Sequence, residues 1–326
     1  MERNRRRVLI AGAGAMLSAA FGRSHAQSYP SKLIKLIVPF PPGGTTDVVA
    51  RILVDGLSKE LNQAVIVENR GGGGGSIGAR ELARAQPDGY TIGLVTVSTH
   101  GTNPAVYKAL GYDVIKDFTP IAKLLTFPGV IAVHPGFPAK DFATFMRVVK
   151  AAPGKYSYAS SGLGGATHMS MELFKSLTGV AVTHVPYRGS GPAIHDVVAG
   201  QVDILWDALP SALPFIKSGQ LVAIGVAAAQ RSDQLPDVPT FIELGVKDYE
   251  PDLWNGVVGP AGISSERVAI LHAALDRTLK RPEIKAKFEQ LGATIALNSP
   301  AEFARQIDVD VQTWKRVATF ANVSLD

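Results

Sequence analysis

The sequence contains no cysteine. A chain without thiols has no disulfide framework, and it lacks the ligand on which the usual zinc-binding patterns depend. Histidine does not compensate, because the six histidines beyond residue 26 form no H-x-x-x-H or H-x-H pair. These are His100, His134, His168, His184, His195 and His272. We therefore expect no metal site, and a hydrophobic core that forms without cross-links.

Long apolar runs are scarce as well. Residues 8–21 form a run of 14, shorter than the roughly 20 residues that a membrane-spanning helix needs. This run follows the basic segment "MERNRRR" and precedes "SHA", an order typical of a secretory signal peptide. We predict that residues 1–26 are a signal peptide, cleaved after Ala26. Arg5 and Arg6 also fit a twin-arginine export signal, so the export route stays open.

Once this segment is removed, the numbers of basic and acidic residues are nearly equal. The whole chain has 33 basic and 28 acidic residues, a net charge of +5. Residues 1–26 contain five arginines and one glutamate, which leaves 28 basic and 27 acidic residues and a net charge of +1. This balance gives no reason to expect nucleic acid or an anionic membrane surface as a partner.

Short apolar strands alternate with helical segments in two successive series. The first begins with "LIKLIVPF", a glycine loop and a helix, and the second begins near Val130. This alternation predicts an α/β fold of two lobes, each a doubly wound, mostly parallel sheet flanked by helices. The C-terminal part has one clear strand, in "GVVGPAG", and we expect it to return to the first lobe. The predicted lobes are residues 27–127 with 252–326, and residues 128–251, with a ligand cleft between them.

Two enzyme motifs occur in the glycine run after the second predicted strand. Gly73, Gly75 and Gly78 spell G-x-G-x-x-G, but "TVSTHGT", where the ribose-binding acid would stand, contains none. Gly74, Ser76 and Gly78 spell G-x-S-x-G, but the strand ends too early for a nucleophile elbow. We therefore expect no dinucleotide or other cofactor, and we interpret the run as a turn into a helix that Ser76 caps. A secreted serine hydrolase using Ser76 is an alternative.

Glycine- and hydroxyl-rich stretches end four of the predicted strands. They are "VPFPPGGTTD" at 38–47, Ser98 with Thr99, "ASSGLGGATHMS" at 159–170, and "VPYRGSGPA" at 185–193. Ligands of open α/β sheets collect at the carboxyl ends of strands, so these stretches outline a cleft with neutral donors, suited to a small polar anion. The glycine loop of 38–47 leads into a helix N-terminus, whose free N–H groups favour an anion.

Two acidic residues lie in or near these stretches. Asp47 is in the first turn of the first helix, where Thr45, Thr46 or Asp47 is available as N-cap. Its carboxylate either accepts N–H groups of the loop or faces a ligand ammonium or hydroxyl group. Asp207, at the end of "ILWD", is a candidate contact for a ligand amine or hydroxyl group.

In their order along the chain, these motifs resemble those of the Bug-type substrate receptors of the tripartite tricarboxylate transporter system. The family signature P-x-G-G-x-x-D is present as Pro41, Gly43, Gly44 and Asp47. Later family motifs are similar to "ENRGGGGGSIGARELARAQPDGYTIGLVT", "SSGLGGATHMS", "VPYRGSGPAIHDVVAGQVDILWD" and "LPDVPTFIELGV". The glycine run departs from the family, which usually shows Pro and Ala among the glycines after "NR".

The resemblance implies a type II-like periplasmic binding protein without catalytic activity, a monomer that closes on a small carboxylate. The ligand would be a mono- or dicarboxylate, an aromatic acid or an amino acid, delivered to an integral membrane permease. The residues that match the family's ligand loops are Phe40, Gly44, Thr45, Thr46 and Asp47 in the first lobe and Ser160, Ser161, Gly164, Thr167 and His168 in the second. Their placement at strand ends adds Ser98, Thr99, Tyr187 and Asp207. A ligand-sensing subunit that signals to a membrane partner needs the same cleft and is a further alternative.

Overall fold

The computed structural model describes residues 29–249 and 251–326. The predicted signal peptide and its cleavage position lie outside these residues. The strands are β1 (Ile34–Val38), β2 (Val65–Asn69), β3 (Thr91–Thr96), β4 (Phe118–Phe127), β5 (Gly129–Val133), β6 (Ser157–Ser160), β7 (Thr183–Pro186), β8 (Ile204–Ala208), β9 (Val222–Ala227), β10 (Leu253–Pro260) and β11 (Thr294–Ile295). The α-helices are α1 (Thr45–Leu61), α2 (Ser76–Ala83), α3 (Asn103–Val106), α4 (Phe142–Ala151), α5 (Ala166–Thr178), α6 (Ser190–Val198), α7 (Leu209–Lys217), α8 (Ser265–Leu279), α9 (Pro282–Gln290) and α10 (Pro300–Phe320). A 3₁₀ turn (Gly73–Gly75) and a π-helical turn (Ser98–Thr102) precede α2 and α3.

The strands form two sheets. A six-stranded sheet has the order β11-β4-β10-β3-β1-β2, and a five-stranded sheet has the order β7-β6-β8-β5-β9. The chain passes from the first sheet to the second between β4 and β5, and it returns between β9 and β10. The predicted two-lobed α/β fold is confirmed.

Each sheet contains antiparallel pairings beside the expected parallel ones. β1 pairs in parallel with β2 and β3, whereas β10 is antiparallel to β3 and β4. In the second sheet, β6 pairs in parallel with β7 and β8, whereas β5 is antiparallel to β8 and β9. The chain enters the five-stranded sheet at β5 and returns to the six-stranded sheet at β10. Each of these two strands starts where its neighbouring strands end, and it therefore runs antiparallel to them.

Strand β4 was not predicted, because its sequence lacks a clean apolar pattern. Pro120 and Lys123 interrupt the strand, and Lys123 is nevertheless only 9% exposed. Its ammonium group lies 3.4 Å from the carboxylate of Asp252. A buried lysine of this kind is tolerated because its charge has a partner. Strands β9 and β11 were also not predicted.

Two predicted helix caps are wrong. The N-cap of α1 is Gly44 rather than Thr45, Thr46 or Asp47, and no side-chain cap bond forms there. The N-cap of α2 is Gly75 rather than Ser76. In α1 the carboxylate that was a candidate cap instead reaches back to the loop, where it accepts the N–H of Gly43 at 3.0 Å.

The last helix covers the six-stranded sheet. Phe303 of α10 is fully buried and packs edge-on against Trp254 of β10, with ring centroids 5.2 Å apart. The indole N–H of Trp254 donates to the carboxylate of Asp310 on the same helix at 2.7 Å. These contacts hold one face of β10 against α10, which leaves the side chains of alternate residues on the opposite face.

Candidate functional site

A cavity of about 50 Å³ lies where strand ends of the two sheets meet. Eight of the fourteen predicted site residues line it: Phe40, Gly44, Thr45, Thr46, Ser98, Ser161, Thr167 and Asp207. Ala166 and Ser190, which also line it, lie in the stretches 159–170 and 185–193 but were not among the fourteen predicted site residues. Sequence reasoning missed the remaining lining residues, which are Thr96, Val97, Phe127, Ala208, Leu253, Trp254 and Asn255. Phe127 ends β4 and Leu253 begins β10, so part of the wall comes from the two segments that connect the sheets.

Four helices begin at this cavity. α1 starts at Thr45, α5 at Ala166 and α6 at Ser190, and the N-cap of α7 is Ala208; all four residues line the cavity. The first N–H groups of a helix have no acceptor within the helix, and the helix dipole makes that end positive. The described residues that line the cavity include no lysine or arginine. Four positive helix ends thus lie at a cavity whose acidic lining residue, within the described chain, is Asp207.

Hydrogen bonds join the two halves of the site directly. The N–H of Ala166 donates to Ser98 Oγ at 2.9 Å. Thr45 Oγ1 donates to Ser211 Oγ at 3.0 Å, although 166 positions separate them in sequence. Tyr107 adds a bond from its hydroxyl to the carbonyl of Leu163 at 2.9 Å. These bonds hold the loops of the six-stranded sheet against those of the five-stranded sheet.

Asp47 lies beneath the loop that it follows. Its side chain is 3% exposed, and its two oxygens accept bonds from the Gly43 N–H, from Arg51 Nε at 2.9 Å and from Asn69 Nδ2 at 3.0 Å. Asn69 Nδ2 also donates to the Phe40 carbonyl at 2.9 Å. Burial favours a higher pKa for Asp47, but the bonds from Arg51, Gly43 and Asn69 hold the pKa below its usual value. The carboxylate thus braces the loop as an anion.

Asp207 is the acidic residue among those that line the cavity, and its oxygens are engaged. Oδ1 accepts from Ser190 Oγ at 2.7 Å and from the Ala208 N–H at 2.8 Å, and Oδ2 accepts from Ser211 Oγ at 2.8 Å. Burial raises the pKa of Asp207 to about 6, although these three bonds act in the opposite direction. The carboxylate orients the first residues of α6 and α7 at the cavity.

The other predicted site residues are not among those that line the cavity. Thr99 is fully buried and bonds through Oγ1 to the backbone of Thr96, and Tyr187 donates its hydroxyl to Asp196 at 2.6 Å. Ser160, Gly164 and His168 belong to the second ligand loop or its supports. Ser160 bonds to His184, and Gly164 bonds to His168, so their polar groups contact residues that do not line the cavity.

A stacked pair of histidines supports this second loop. The rings of His168 and His184 are parallel within 14°, with centroids 4.0 Å apart. His168 Nδ1 accepts the N–H of Gly164 at 3.2 Å, and His184 Nε2 lies 2.6 Å from Ser160 Oγ. Burial lowers the pKa of His168 to about 4 and that of His184 to about 3. The pair is neutral at pH 7 and acts as a support for the loop.

Lowering the pH from about 8 to about 5 should destabilise the protein. His168 and the buried His100, whose pKa burial lowers to about 3, titrate near 6.5 when unfolded, so the unfolded chain takes up protons that the folded chain does not. Each of the two costs about 2 kcal/mol of unfolding free energy at about pH 5. Asp207 has the opposite sign, because its raised pKa adds stability as the pH falls through about 6.

Melting temperatures measured across this pH range test the assignment. The variant His168→Asn keeps an acceptor for the Gly164 N–H but does not titrate, so its melting temperature should depend less steeply on pH. An unchanged slope in this variant would contradict a neutral, buried His168.

The hydrogen bonds of the described residues do not support the alternative of a serine hydrolase that uses Ser76. Among the hydrogen bonds of the described residues, none joins Ser76 to a histidine; the serine–histidine contact is that of Ser160 with His184. Ser160 is fully buried and is not among the residues that line the cavity. The described residues also hold no group of three or more metal-ligating side chains. None of the described helices combines the length and apolar character that a membrane span requires.

The model of one protein family, the tripartite tricarboxylate transporter family receptor, matches residues 49–323. The chain belongs to this receptor family. Protein BugT of Bordetella pertussis, one relative of the receptor, is 34% identical over 90% of this chain and 90% of its own length.

Solved structures resemble this receptor over most of their length. Rpa4515 of R. palustris, determined with adipate, is 34% identical with a TM-score of 0.88, covering 91% of this chain and 99% of its own. MatC of Rhodopseudomonas palustris, determined with bound malate, is 34% identical with a TM-score of 0.84, covering 89% of this chain and 99% of its own. The family and these neighbours are solute-binding proteins, and the receptor is a periplasmic solute receptor by family.

Proposed function

We propose that this receptor binds a small carboxylate in the cavity between its two sheets and delivers it to a tripartite tricarboxylate permease in the membrane. The main support for the proposal is that the N-termini of four helices meet at one cavity. The described residues that line this cavity include no lysine or arginine. Backbone N–H groups and hydroxyls at such ends bind a carboxylate without a permanent countercharge. Neutral donors suit a carrier that must release its ligand.

The relatives support this ligand class. Two structures at 34% identity have adipate and malate bound, and both ligands are aliphatic carboxylates. We also propose that residues 27–127 with 252–326 form one lobe and residues 128–251 the other, because sheet membership changes close to these positions. In this proposal, eight of the fourteen predicted site residues line the cavity and the other six support those eight. We further propose that the mature chain is a periplasmic monomer without catalytic activity.

The mature protein, residues 27–326, should be stabilised by carboxylates. A ligand that binds only the folded state adds about 2.7 kcal/mol at 100 times its Kd, which raises the melting temperature. We expect saturable shifts with members of a panel of aliphatic acids, aromatic acids and amino acids, and no shift with the matched diamides, which lack the charge. If the panel gives no shift, or the diamides shift the melting temperature equally, carboxylate binding is wrong.

Transport and sensing are separated by an uptake assay in cells that express the permease from an independent promoter. We expect uptake of the identified ligand to be lost without the receptor and restored by the wild-type chain. If uptake is independent of the receptor while a ligand response is lost, the chain is a sensing subunit. Ester turnover that Ser76→Ala abolishes would instead support the hydrolase.

A further inference from the structure

Asn255 of β10 is a buried side chain whose two polar atoms are both unpaired. It is 0% exposed, and neither Oδ1 nor Nδ2 has a hydrogen-bond partner. It also lines the cavity. Buried side-chain amides in native proteins are almost always bonded, and an exception requires a physical reason.

The geometry of β10 places this side chain on the face opposite to Trp254, although both residues line the cavity. Trp254, the preceding residue, packs on Phe303 of α10, and successive residues of a strand point to opposite faces. Asn255 therefore points away from α10. It pairs with Thr96 at the end of β3, and the register with β4 slips between Asn255 and Gly256. Such irregularities re-aim side chains and are frequent beside binding sites.

The fold gains nothing from an amide at this position. An apolar side chain of similar shape would fill the same space without leaving a donor and an acceptor unpaired in the interior. The cavity lining contains apolar residues such as Phe127 and Leu253 and hydroxyl residues such as Thr96, and no described side chain bonds to the amide of Asn255. Because Asn255 lines the cavity, a ligand bound there is the candidate partner for its amide.

We propose that Asn255 bonds to the ligand at a distance from its carboxylate, and that it selects carboxylates that also carry a hydroxyl or a carboxamide group. The inference rests on the proposed function. A side-chain amide has donors on Nδ2 and an acceptor on Oδ1. A second carboxylate satisfies only the donors, and a methyl group satisfies neither. A hydroxyl or a carboxamide offers a donor and an acceptor together and satisfies both.

Titration calorimetry with butyrate, 3-hydroxybutyrate and succinamate tests the selectivity. A site built around a buried polar group discriminates strongly against ligands that leave it unpaired. We expect the mature wild-type protein to bind the hydroxy acid and the amide acid at least about 10-fold more tightly than butyrate. In Asn255→Leu the three affinities should agree within about 3-fold.

Thr278→Val is the matched control. Thr278 is also fully buried with an unpaired Oγ1, but it lies on α8 and does not line the cavity. Both variants should keep or raise the melting temperature without ligand, because each removes an unpaired buried group. Only the change at Asn255 should remove the selectivity. If Asn255→Leu does not fold, the smaller Asn255→Ala variant, which has no side-chain donor or acceptor, serves for the same comparison.

The possible outcomes are distinct. If the wild type binds butyrate as tightly as its hydroxy and amide analogues, or if selectivity survives in the variants of Asn255, the inference is overturned while carboxylate binding stands. A lower melting temperature of ligand-free Asn255→Leu with unchanged selectivity would show a structural role and would also overturn it. If no carboxylate binds the wild type at all, the proposed function fails, and the inference fails with it.

Discussion

Replacing Gly74 with alanine should weaken ligand binding by about 10- to 100-fold, because it should push the glycine run before α2 away from the loop before α5, which contributes Ser161 to the cavity lining. Gly74 has φ +59°, and a Cβ there would lie 2.8 Å from the carbonyl oxygen of Leu163 and 3.3 Å from the backbone nitrogen of Gly165. Both atoms belong to the loop before α5. Backbone atoms cannot give way as a flexible side chain can, so the loops must separate.

The reason for the large effect is that both halves of the site contribute donors. If the loops separate, the first residues of α1 and of α5 no longer reach the same anion. The measurement is the Kd of the best carboxylate of the panel, together with the ligand-induced rise in melting temperature.

Gly179→Ala is the control for backbone strain. Gly179 has φ +70°, close to that of Gly74, but a Cβ there would meet nothing within 4 Å. A residue other than glycine in this conformation costs about 1–2 kcal/mol, which should lower the melting temperature of both variants. Only Gly74→Ala should lose affinity. Wild-type affinity in Gly74→Ala would mean that contact between these loops is not required for binding.

The second large effect is expected for Asp47→Ala. The variant leaves the Gly43 N–H without its acceptor and removes two further bonds from a carboxylate that is 3% exposed. Hydrogen bonds to charged groups contribute about 1.5–3 kcal/mol each, and part of this is recovered by water. We expect a loss of about 3 kcal/mol in unfolding free energy and a melting temperature lower by roughly 5–10 °C. Ligand affinity should fall by about 10-fold or more, because the loop donors lose their fixed positions.

Two further variants separate the sources of this effect. Arg51 is 57% exposed, and an exposed ion pair is worth less than about 1 kcal/mol, so Arg51→Ala should cost little. Asp47→Asn keeps the shape and one acceptor oxygen but has an amide donor in place of the other oxygen, and its losses should lie between those of the wild type and Asp47→Ala. Equal losses in Arg51→Ala and Asp47→Ala would show that the ion pair, and not the bracing of the loop, is the source of the stability.

Asp47 shows which features of the site could be predicted from sequence patterns and which could not. The loop 38–47, its glycines and the helix after it were predicted, and eight of the fourteen predicted site residues line the cavity. The two readings of Asp47 were left open, because the sequence does not show where its carboxylate points. The structure places Asn69, 22 positions away, beside this carboxylate, where its amide donates to both Asp47 and the Phe40 carbonyl.

The sequence by itself determined the alternation of strands and helices, the glycine- and hydroxyl-rich strand ends and the family, because these depend on local periodicity and on short motifs. Tertiary structure alone decided which strands lie beside each other, that β5 and β10 run against their neighbours, and which hydroxyls face the cavity. Asn255 shows the reason. In the sequence it is one polar residue in "DLWNGVVGP"; its isolation from every partner is a property of atoms brought together from β3, β4 and β10.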